Sequence, residues 1–92
     1  MAEKEGEISM NTNEIVKKAQ DDFVTLSKLP ISAVIGLSKK GEGWTVSLEA
    51  VERKAIPETM DVLGIYEVHL DDEANVLSFE RKKLRKRGET AE

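Results

Sequence analysis

Apolar residues near the start of the chain recur at helical spacing. Ile15, Ala19, Phe23 and Leu26 follow one another at intervals of four, four and three, with Val16 beside the first. One stripe of this kind predicts an amphipathic helix of roughly three to four turns. Asn13 is the candidate N-cap, and Glu14 would favour the positive end of the helix dipole. Lys17, Lys18, Asp21 and Asp22 fall on the polar side and pair at i,i+4. Pro30 ends the helix, because the residue before a proline is pushed out of the α region.

From Ile31 the period changes to two. Ile31, Ala33, Ile35 and Leu37 alternate with Ser32, Val34, Gly36 and Ser38, and Lys39–Gly43 supplies a turn with two glycines. Trp44, Val46, Leu48 and Ala50 then share a face opposite Thr45, Ser47, Glu49 and Val51. After a connection containing Pro57, Gly64, Tyr66, Val68 and Leu70 lie opposite Leu63, Ile65, Glu67 and His69. Asp71–Asn75 is a polar turn, and Leu77 and Phe79 open the inner face of a last strand that runs into a basic stretch. The fold class is therefore α+β: one N-terminal helix packed on a four-stranded antiparallel meander sheet. The short connections exclude parallel crossovers.

The expected core is Ile15, Ala19, Phe23 and Leu26 from the helix, with Ile35, Leu37, Trp44, Val46, Leu48, Tyr66, Val68, Leu70, Leu77 and Phe79 from the sheet. Residues 1–12 read as a disordered acidic leader, 13–87 as the single domain and 88–92 as a disordered tail. Val34, Val51, Leu63 and Ile65 fall at the outward parity, and Leu84 joins them only if the last strand continues unbroken past Arg81. Scattered outward apolar residues are ordinary. A contiguous set would be a patch for a partner or a second copy of the chain.

Composition narrows the function classes. Ninety-two residues leave room for one core. Cysteine is absent, which removes disulfides, thiolate metal sites and thiol nucleophiles together. No apolar run approaches the length of a membrane span, and the acidic start is the opposite of a signal peptide, so the expected location is the cytoplasm. The formal net charge of −4 argues against general nucleic-acid affinity. Its distribution is uneven, however. Arg81, Lys82, Lys83, Arg85, Lys86 and Arg87 place six of the fourteen Lys and Arg residues in seven positions.

That strip has two readings. Basic residues on an edge strand prevent strand-to-strand aggregation. They also form an electrostatic dock, for which an acidic protein is the better partner, since no aromatic is interleaved for base stacking. His69 is the sole histidine. Its sequence neighbours Asp71, Asp72 and Glu73 belong to a polar turn, where solvated carboxylates are the default. No nucleophile partner accompanies His69, and the glycines do not form a phosphate loop. No enzyme activity, cofactor or metal is expected.

One block carries more information than its physics. Gly43-Trp44, Val46-x-Leu48-Glu49-x-Val51-Glu52, Ile56-Pro57-x-Thr59-x-Asp61-Val62-Leu63, Tyr66-Glu67-Val68-x-Leu70-Asp71 and Phe79-x-Arg81 with its basic finish resemble the gas vesicle protein O family. The likeness covers about half of the chain, and the stretch from Pro57 to Asp71 is its most specific part. Two positions depart from the family pattern: Glu73-Ala74-Asn75 stands where a turn glycine is expected, with Asn75 able to take a left-handed position, and Leu84 stands where tyrosine is usual. The resemblance implies an accessory protein in gas vesicle formation, an assembly factor or minor component acting through protein contacts. The implied partners are other accessory gas vesicle proteins, with the vesicle shell a further candidate. The alternative is a nucleic-acid-binding regulator of gas vesicle genes that uses the basic strip. On physical grounds the proposed contact residues are Arg81, Lys82, Lys83, Arg85, Lys86 and Arg87 with Val51, Leu63 and Ile65.

Overall fold

The computed structural model describes residues 11–88. Helix α1 spans Thr12–Ser27, followed by strands β1 (Ile31–Lys40), β2 (Gly43–Arg53), β3 (Val62–Leu70) and β4 (Val76–Lys86). A single 3-10 turn, Glu58–Met60, lies between β2 and β3. The strands pair in the order β1-β2-β3-β4, every pair antiparallel. This is the expected α+β meander. The expected leader lies almost wholly outside the described residues, as does most of the expected tail.

The helix begins earlier than Asn13 suggested. Asn11 is the N-cap: its side chain accepts from the Glu14 backbone N–H at 2.9 Å, and Glu14 accepts from the Asn11 N–H at 3.0 Å. This reciprocal capping box satisfies two donors that the first turn leaves free. At the other end Lys28 takes a left-handed conformation, φ 66°, and its N–H returns to the Val24 carbonyl.

Ile15, Ala19 and Phe23 are buried against Val46, Leu48, Ala50, Tyr66, Val68 and Leu70. Phe23 holds the centre, with its ring 5.0 Å from Tyr66 and 5.1 Å from Phe79, both edge-on. That geometry puts the positive ring edge against the negative face. Trp44 sits at the margin with the Lys39 ammonium 4.5 Å from its ring centroid. Leu26 is 59 % exposed, because α1 closes soon after it at Lys28.

Bulges account for the other departures from simple alternation. In β1 the register slips at Ser32 and at Ile35. Ile31, Val34 and Leu37 therefore pack toward the core, and Ile35 is 57 % exposed. In β4 one slip sets Val76 opposite Leu70 and turns out Leu77, which is 68 % exposed. A second slip falls at Lys82. Beyond it Leu84 is paired with Gly64, on the parity of Tyr66, so it does not join the outward set. Each extra residue reverses parity, as a bulge must.

The turns also differ in detail from the sequence reading. Gly41 takes positive φ, 58°, whereas Gly43 lies in β2, where a Cβ would collide with the Leu70 carbonyl. In the β3–β4 turn the left-handed residue is Ala74, φ 67°, not Asn75. The Asp71 carboxylate holds that turn by accepting from the Glu73 and Asn75 backbone N–H groups, each at 2.9 Å.

Candidate functional site

Register places two surfaces on the sheet. The helix covers one. The other carries Thr45, Ser47, Glu49 and Val51 from β2, Leu63, Ile65, Glu67 and His69 from β3, and Ser78, Glu80, Lys83 and Arg85 from β4. Of the proposed contact residues, Val51, Leu63 and Arg85 stand side by side across the sheet, and Ile65 stands opposite Lys83 in the next row. Val51 and Leu63 are buried, Ile65 is half-buried and Lys83 is exposed. Arg81 and Lys86 belong to the parity of the helix side, opposite Tyr66 and Val62, and Lys82 occupies the bulge. The basic strip is thus divided between faces.

Much of its charge is already engaged. Arg85 grips Glu49 on the central strand β2 with Nη2 at 2.7 Å and Nε at 2.9 Å from one oxygen. Glu49 is buried, and a buried carboxylate needs such a partner. Arg87 reaches Asp61 at 3.1 Å through Nη2 and 3.2 Å through Nε. Asp61 is 1 % exposed and also accepts from the Ala55 N–H at 2.7 Å. That backbone hydrogen bond, aided by Arg87, holds the Asp61 carboxyl below its ordinary range against the opposing effect of desolvation. The Arg87 and Gly88 N–H groups donate to the Asp61 and Thr59 carbonyls, each at 2.9 Å. Together these contacts clasp the end of β4 to the Pro57–Asp61 connection.

Arg81 lies 3.8 Å from Glu52, and Lys82 lies 3.8 Å from Glu80. Glu52 also accepts from the Tyr66 hydroxyl. Desolvation and that carboxylate push the phenol up to about 12. Among the described residues Lys83 makes no ion pair. The cations with structural duties could not be told from the free one by sequence, because Glu49 and Arg85 are 36 positions apart.

The carboxylates that approach the His69 ring most closely are not those of the turn. Nε2 of that ring lies 3.2 Å from Glu80 Oε2, and Glu67 is beside both. Glu67 was recoverable from the i,i+2 spacing along β3, whereas Glu80 needed the β3–β4 register. Between the two hairpin ends is a shallow cleft of about 370 Å³ with Trp44, Thr45, His69 and Leu77 in its lining. Among the described residues no helix is long and apolar enough to cross a membrane.

The family model described as gas vesicle synthesis protein GvpO matches residues 1–91. The chain belongs to the GvpO family. It is 32 % identical over 75 residues to gas vesicle protein O1 of Halobacterium salinarum, covering 82 % of this chain and 63 % of that protein. It is 40 % identical over 52 residues to gas vesicle protein O of Haloferax mediterranei, covering 56 % of this chain and 37 % of the relative. The Streptomyces gas vesicle protein O matches at 27 % identity over 74 residues, 80 % of this chain and 58 % of the relative. This GvpO chain thus spans less than two thirds of each of these relatives. No solved structure matches it.

Proposed function

We propose that this GvpO chain is a cytoplasmic accessory factor in gas vesicle formation that works by docking to other accessory gas vesicle proteins. Its membership of a gas vesicle synthesis family supports the setting. The docking surface is the sheet face opposite the helix, and the observation that carries it is the row in which half-buried Ile65 stands beside Lys83. An apolar side chain next to a cation without an ion partner suits a partner that presents an apolar residue beside a carboxylate.

The ion pairs of Arg85 and Arg87 favour this reading over a regulator that binds nucleic acid. A phosphate-tracking strip needs several cations free on one face, and here Arg85 and Arg87 are held by carboxylates of their own domain. Pull-down of the tagged chain from cells expressing a gas vesicle cluster, at low and high salt and with nuclease, tests the proposal. Other accessory gas vesicle proteins should be recovered, less so at high salt, and nuclease should make no difference. Recovery abolished by nuclease would overturn the docking reading in favour of the regulator.

A further inference from the structure

Glu67 and Glu80 are direct partners across β3 and β4. Like charges placed opposite one another weaken a sheet. Lys82 offers Glu80 only a 3.8 Å contact, and among the described residues Glu67 has no hydrogen-bond or ion-pair partner. His69 follows Glu67 by two residues on the same face and aims Nε2 at Glu80 Oε2, 3.2 Å away. Its other nitrogen, Nδ1, lies 3.4 Å from the hydroxyl of buried Thr45. One imidazole nitrogen and two carboxylate oxygens therefore converge, all within 4.8 Å of one another.

We propose that Glu67, His69 and Glu80 form a binding site for a divalent transition-metal cation, with zinc as the cation of choice. Bonds of about 2.0–2.2 Å from zinc to imidazole nitrogen and carboxylate oxygen put neighbouring ligands of a tetrahedral site about 3.3–3.6 Å apart. The contact between His69 and Glu80, 3.2 Å, is close to that length, and a Glu67 carboxylate oxygen lies within 4.8 Å of both. Thr45 acts as the outer partner that orients the ring, as hydrogen-bonded neighbours of metal-ligating histidines commonly do. The mixed donor set favours zinc over magnesium or calcium, which take oxygen ligands in larger number. Three ligands on one open face leave a coordination position for water or for a partner's side chain. The cation would also neutralise the facing carboxylates, so binding should stabilise the fold by mass action. This site stands independently of the docking proposal.

The test is zinc titration of the tag-free full chain by calorimetry, beside thermal melts with and without zinc. Wild type should bind one zinc and melt higher with it. Glu67→Gln should weaken binding by at least about tenfold, lose the zinc-dependent rise in melting temperature, and melt no lower than wild type without metal. Glu80→Gln provides a second variant with the same expected loss, and Glu58→Gln, in the distant 3-10 turn, should bind as wild type does. A Glu67→Gln chain that binds zinc as tightly as wild type would overturn the proposal, as would a wild-type melt that zinc leaves unmoved.

Discussion

Two residues show how much local chemistry a short chain can concentrate. Arg85 satisfies the buried Glu49 carboxylate, so Arg85→Ala should cost about 2–3 kcal/mol. Lys83→Ala, two positions earlier, should stay within about 0.5 kcal/mol, as surface substitutions do. Urea unfolding of the two variants checks the contrast, and equal losses would mean that the Glu49 pair is not a structural contact. Lys28 is the second case. An exposed lysine in the left-handed region carries a steric cost that glycine avoids. Lys28→Gly should therefore stabilise the protein by about 0.5–1 kcal/mol, net of the entropy glycine adds to the unfolded chain. An unchanged or lower unfolding midpoint would refute that expectation.

At the level of elements, the clasp between β4 and the Pro57–Asp61 connection makes stability depend on acid. The Asp61 carboxyl titrates below its ordinary value, chiefly through the Ala55 N–H, and Asp71 does so through the Asn75 and Glu73 N–H groups. For both, the unfolded chain takes up the proton first. The stability they add is complete above the ordinary carboxylate range. It declines as pH enters that range and is gone below the folded values. Asp61→Asn should thus unfold more readily than wild type at pH 7, and its stability should fall less steeply between about pH 5 and pH 2. Parallel curves for the two proteins would remove Asp61 from the account.

Helix, strands, order and meander topology were all legible, because a period of 3.6 followed by a period of two identifies them directly. Alternation places Ile35 and Leu77 in the core because it assumes an unbroken strand, whereas bulges at Ile35 and Leu77 reverse parity without a sequence mark; the condition set for Leu84, a strand unbroken past Arg81, fails at the Lys82 bulge. Asn11-x-x-Glu14 did carry the signature of the true helix start.

For the molecule as a whole, one helix-covered sheet face and one face of mixed character divide structural from candidate functional roles. Family membership was legible in the Pro57–Asp71 block. The candidate site was legible only as a basic strip with outward apolar residues. Tertiary pairing decides that Arg85 and Arg87 are committed to Glu49 and Asp61 while Lys83 faces outward beside Ile65. Complementation tests this most directly: a gas vesicle strain lacking its own GvpO is given either wild type or an Ile65→Asp, Lys83→Glu double variant. Cell flotation and recovery of accessory gas vesicle proteins on the tagged chain are then measured together. The docking account predicts that the double variant folds, recovers less of its partners and restores less buoyancy than wild type. Full flotation and undiminished partner recovery by the double variant would contradict it.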